Sequence, residues 1–94
     1  MSKADIQIHY EEAMREVRRL HGLSEELQEE VGSAESLFDA IEAQWEGMNS
    51  RKYLAAARSR IHRMRQVSSR LESLAEAIRK TAEVYRRNEM KSSG

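Results

Sequence analysis

Three histidines, His9, His21 and His62, and a large set of carboxylates are the side chains with the chemistry to bind a metal or move a proton, and there is no cysteine beside them. A di-iron site in a helical bundle needs Glu-x-x-His, which puts both ligands on one helical face. The residues three before these histidines are Ile6, Arg18 and Ser59, and no zinc-type ligand spacing is present either. Nothing resembles a glycine-rich phosphate loop or a compact nucleophile–base constellation. The expectation is a protein that is not an enzyme and holds neither metal nor cofactor, its carboxylates forming a solvated helical surface.

What remains is the chemistry of recognition. Trp45-Glu46-Gly47 holds the only tryptophan of the chain. An indole offers a large apolar face and one N–H donor, a good interface anchor. Gly47, lacking a Cβ, lets the backbone turn sharply. Near the C-terminus stand Tyr85 and Glu89. Four residues apart on a helix, they share one face, so a single partner surface can read both.

The elements that must position these residues are helical. There is no proline to interrupt a long helix. Ile6, Tyr10, Ala13, Val17, Leu20, Ser24, Leu27, Val31, Ala34, Phe38, Ile41 and Trp45 recur at alternating steps of four and three, and only Ser24 is polar. This is the seam of a coiled coil, and it predicts a helix over 5–44. Gly22 and Gly32 interrupt it as sites of a bend or a close helix contact, Gly22 with Ser24 above all. A turn follows over 45–49, with Gly47 closing the first helix in a left-handed conformation and Asn49 or Ser50 capping the second.

The second stripe reads Leu54, Ala57, Ile61, Met64, Val67, Leu71, Leu74, Ile78, Ala82 and Tyr85, with phase shifts near Met64 and Ile78. It predicts a helix over 50–89, then a frayed tail over 90–94. The whole is one all-α domain, an antiparallel helix-turn-helix hairpin. Residue i then faces roughly 95 − i, setting Glu35 near Arg60, Glu30 near Arg65, Glu25 near Arg70 and Glu16 near Arg79.

Charge narrows the class further. Residues 1–47 carry four Lys/Arg against twelve Asp/Glu, net −8, and residues 48–94 carry twelve against four, net +8. A basic half can bind nucleic acid, but here its complement is the neighbouring helix, and Arg58, Arg60, Arg63, Arg65 and Arg70 spread around the helix with little aromatic interleaving. Neither nucleic-acid binding nor stable membrane insertion is expected, since no apolar run approaches a membrane span. Met1 to Tyr10 contains no apolar core of a cleaved signal peptide. Two helices alone make a marginal core, and the obvious reinforcement is a second hairpin, giving a four-helix bundle.

The two nearly equal helices, Trp45-x-Gly47 in the turn and Tyr85-x-x-x-Glu89 late in the second helix span the chain, and jointly they resemble the WXG-motif family, similar to the early secreted antigenic target. The resemblance implies a hairpin that pairs with itself or with a paralogous small helical protein. The pairing is antiparallel, so the Trp45 turn of one protomer lies near Tyr85 and Glu89 of the other. It implies a substrate of bacterial type VII secretion, made in the cytoplasm and secreted folded as a dimer without a cleaved signal peptide. Trp45, Gly47, Tyr85 and Glu89 would form a composite export signal read by a membrane-bound secretion ATPase. Only five residues follow Glu89, which puts in doubt the tail contact with the ATPase that some members make. The dimer or hairpin seam would be Val17, Leu20, Leu27, Val31, Phe38, Ile41, Ile61, Met64, Val67, Leu71, Leu74 and Ile78. The alternatives are a hairpin that stays inside as a targeting partner for a larger toxin, and a basic-helix nucleic-acid binder.

Overall fold

The structure, a computed structural model, describes residues 1–45 and 48–93, and of Met48 and Asn49 the backbone alone. It consists of two helices, α1 (Lys3–Gln44) and α2 (Met48–Ser93). A connection as short as 45–47 returns the chain along itself, so the helices pair antiparallel. The fold is the helical hairpin that the two heptad stripes predict.

Three of the four helix ends extend past the expected ones, and α1 ends at Gln44 as expected. α1 begins at Lys3 because Ser2 caps it: Asp5 N–H donates to Ser2 Oγ at 3.1 Å, and Ser2 Oγ–H donates to the Asp5 carboxylate at 2.8 Å. This is a variant of the reciprocal capping box, with Asp5 in the usual Glu position. At the far end Trp45 N–H still donates to Ile41 O at 2.9 Å, so helical bonding runs one residue past Gln44. α2 starts at Met48, which sets Asn49 and Ser50 within its first turn. The expected closure of α1 by Gly47 lies outside the described residues. The tail expected to fray from residue 90 is helical to Ser93, where Ser93 Oγ–H donates to Met1 O at 3.2 Å. Lys91 in the last turn complements the exposed carbonyls of the helix end.

The chain divides into two compact units, each built from both helices. The first comprises Met1–Leu23 and Leu71–Gly94. Its core is Val17, Leu20 and Ala75, with Met14, Leu71 and Ile78 packed against them, and Ile6 and Ala82 are also buried. The second comprises Ser24–Arg70. Here Val31, Leu54 and Ile61 are buried, together with a polar pair, Ser24 and Ser68. Ser24 Oγ and Ser68 Oγ are 2.8 Å apart, and each hydroxyl also reaches the other residue's backbone carbonyl, at 3.1 and 3.2 Å. A buried hydroxyl without a partner is costly. These two satisfy each other, and the small side chains let the two backbones come close.

The seam of α1 lies where the sequence places it: Ile6, Val17, Leu20, Ser24 and Val31 are buried, and Leu27, Phe38 and Ile41 half-buried. In α2 the stripe residues Leu54, Ile61 and Ala82 are buried and Leu71 and Ile78 half-buried, and Ser68 and Ala75 join them inside. The buried positions are Leu54, Ile61, Ser68, Ala75 and Ala82, an unbroken seven-residue repeat. Val67 and Leu74 are each one residue off that line and are 46 % and 50 % exposed. Met64, three residues past Ile61 on the companion line of the stripe, is 42 % exposed. The apparent phase shifts came from following the largest apolar side chains, whereas helix geometry puts the small residues Ser68 and Ala75 inside. The registry shifts accordingly: Ser24 meets Ser68, about one helical turn from the position expected opposite it.

Gly22 and Gly32 do not mark a close helix contact. α1 runs through both, and a Cβ added at either would meet nothing within 4 Å.

The corrected seam has a direct test. Ala75→Leu should overfill the core and lower hairpin stability by about 1–3 kcal/mol, while Leu74→Ser should change it little at concentrations where the chain is monomeric. Thermal melting of both variants decides. Equal losses would return Leu74 to the seam.

Candidate functional site

Ion pairs hold one flank of each unit. In Ser24–Arg70, Arg58 donates to Asp39 at 2.8 Å and to Glu42, and Arg65 Nε donates to Glu35 at 2.7 Å. In the other unit His21 Nδ1 lies 2.7 Å from the Glu72 carboxylate. Glu35, Glu42, Arg58, Arg65, His21 and Glu72 each stand one residue after a seam position. The pairings first expected, Glu35 with Arg60, Glu30 with Arg65 and Glu25 with Arg70, are replaced by these, because an Arg stem reaches along the partner helix. Arg79, expected opposite Glu16, instead bonds Glu76 and Glu83 on its own helix.

These contacts move proton affinities in the expected directions. Its hydrogen bonds to Asp39 first, then to Glu42, hold Arg58 above the usual guanidinium range. The Arg79 hydrogen bond pulls Glu76 below the usual carboxylate range. A depressed carboxylate contributes stability above its ordinary range, and that contribution is lost as pH falls through the folded value. At the surface the effect is small.

The opposite flank exposes several apolar side chains. In Ser24–Arg70, Leu37, Tyr53 and Val67 are exposed, and each stands one residue before a seam position. In the terminal unit the same holds for Leu23 and Leu74. That unit also has a groove of about 410 Å³, floored by Tyr10, Ala13, Ala77, Ile78 and Ala82 and rimmed by His9, Thr81 and Tyr85.

The four residues singled out for recognition fall as follows. Trp45 directly follows α1, with its side chain 50 % exposed. Glu46 and Gly47 lie outside the described residues. Tyr85 is half-buried, and Glu89, one turn further on, is exposed. Among the described residues Glu89 has no hydrogen bond or ion pair, so its carboxylate is available to a partner. Trp45 belongs to one unit, Tyr85 and Glu89 to the other.

Tyr85 is more constrained than its place on the stripe suggests. Its hydroxyl donates to Met1 Sδ at 3.1 Å and lies 3.1 Å from His9 Nδ1 on α1. A phenol has one proton, so with that proton on Met1 Sδ the histidine ring is the donor. The two rings lie 6.3 Å apart, tilted by 36°. One position on, the Arg86 guanidinium sits 3.7 Å over the Tyr10 ring, a cation–π contact joining the same two helices. Sequence reasoning treated His9 only as a failed metal ligand. The missed signal is positional: His9 stands beside the α1 seam, close to the seam position that antiparallel pairing sets against Tyr85.

The three histidines have separate partners, Tyr85, Glu72 and Gln66. Among the described residues no group of three His, Cys, Asp or Glu is placed to hold a metal ion. Among them, too, no helix is long and apolar enough to cross a membrane.

Comparison with known proteins adds one finding. A family model described as proteins of 100 residues with WXG matches residues 5–90. No curated protein and no solved structure matches the chain.

The exposure of Glu89 sets an expectation for stability. Glu89→Ala should leave the melting curve within about 0.5 kcal/mol of the parent, as surface substitutions usually do. Tyr85→Ala should lower it measurably, because it removes a half-buried ring and two cross-chain contacts. A large loss in Glu89→Ala would mean that its carboxylate has a structural partner.

Proposed function

Because the chain belongs to the WXG family, whose members are small helical proteins associated with type VII secretion, we propose that it is a type VII secretion substrate, exported folded as a dimer of hairpins. The observation that carries the reading is the state of its signal residues in a folded hairpin. Trp45 is half exposed beside the connection, and Tyr85 and Glu89 lie one turn apart with the carboxylate free. A receptor can therefore read them without unfolding the chain. In this reading Trp45, Gly47, Tyr85 and Glu89 form the composite export signal, and its reader is the membrane-bound ATPase of the secretion machine.

The dimer follows from the two unlike flanks. One has its charges paired, while the other exposes Leu37, Tyr53 and Val67 in one unit, and Leu23, Leu74 and the groove in the other. Apolar surface of this kind gains from being covered. A second hairpin laid on it completes a four-helix bundle. The partner is a second copy or a paralogous small helical protein, paired antiparallel so that the Trp45 turn of one protomer approaches Tyr85 and Glu89 of the other.

Two measurements test the reading. Sedimentation, of the chain alone or with its paralogue, should give about twice the 10.9 kDa chain mass at micromolar concentration. A folded species that stays monomeric in both settings would count against the dimer. In the native host, Trp45→Ala, Tyr85→Ala and Glu89→Ala should each lower the amount of protein reaching the medium. Glu89→Ala is the cleanest, since its fold should be unaffected. If folded Tyr85→Ala and Glu89→Ala proteins are exported at parental levels, the signal assignment fails. The chain then reads better as an internal helical partner.

A further inference from the structure

We infer that His9 is a positioning residue for the export signal: its ring holds the Tyr85 phenol, so that the signal takes its readable form only in the folded hairpin. The inference rests on the proposed role of Tyr85 and extends it to a residue on the other helix, far from the motif in sequence.

The argument starts from what an unrestrained tyrosine does. On a helix its χ1 occupies two rotamers, and a receptor must select one and freeze it. Freezing a side chain on binding weakens association. In this structure the selection is already made. The Tyr85 hydroxyl is held at 3.1 Å by His9 Nδ1 and gives its proton to Met1 Sδ at 3.1 Å. His9 is itself exposed, whereas Tyr85 is half-buried. The contact therefore buries little that would stabilise the hairpin, and what it does fix is the direction of the phenol.

The geometry also couples recognition to folding. His9 and Met1 come from the start of the chain and Tyr85 from near its end, and only the antiparallel hairpin brings them together. An unfolded chain contains Tyr85-x-x-x-Glu89 in its sequence but cannot hold the phenol. A transport machine that accepts folded dimers gains a way to reject unfolded ones, without any dedicated sensor.

The experiment is a double-mutant cycle read by export in the native host, with melting temperature measured in parallel. His9→Ala and Tyr85→Phe should each lower the secreted fraction by about two- to tenfold, the range expected when one side chain must be ordered on binding. The double variant should be no worse than either single one, since both remove the same hydrogen bond. His9→Asn, whose amide can donate near the Nδ1 position, should restore most of the export. Parental export by His9→Ala, additive losses in the double variant, or losses that merely follow melting temperature would each overturn the role of His9. If Tyr85→Ala still blocks export in any of those cases, the signal assignment stands alone. Parental export by Tyr85→Ala and Glu89→Ala as well would remove both.

Discussion

Ser24 and Ser68 are the one buried polar contact on which the arrangement of the Ser24–Arg70 unit depends. Apolar contacts are non-directional and tolerate a slip of one turn along the seam. A reciprocal pair of hydroxyls does not, because any slip leaves a buried donor facing hydrocarbon. With Ser24 set against Ser68, Glu35 and Glu42 come within reach of Arg65 and Arg58. Each of those exposed pairs is weak in itself. They ratify a registry that the buried serines have already chosen.

In that unit Glu35, Asp39, Glu42, Arg58 and Arg65, each one step past the seam, are paired, and Leu37, Tyr53 and Val67, each one step before it, are exposed. The same sequence offset produces both, since an antiparallel pair of helices places like offsets together on one side. A flank with its charges already paired offers a partner little, whereas the apolar flank offers it surface to bury.

Trp45 and Glu89, two of the residues proposed for recognition, are both exposed near helix ends. Trp45 directly follows α1 and is half exposed. Glu89 lies near the other end, four residues short of the end of α2. Tyr85 is the exception, tied to α1 through His9 and to the N-terminus through Met1. Its contacts make it both part of the fold and part of the surface on offer.

Much of this was legible in the chain itself. The alternating four-and-three spacing of apolar residues, without proline, dictated two long helices. Helical periodicity is a local property, so it survives in one dimension. The capping of α1 by Ser2 was equally local and was overlooked, because Ser-x-x-Asp is a weaker cue than the form with Glu. Other features had no one-dimensional counterpart. Whether Val67 or Ser68 faces inward depends on strict helix phase against a particular partner, and size ranking pointed to the wrong residue. The meeting of His9 with Tyr85 depends on chain reversal. From sequence alone the two are a stray histidine and one member of a motif. The tertiary structure makes them neighbours, because antiparallel pairing is what brings the beginning of a chain to its end.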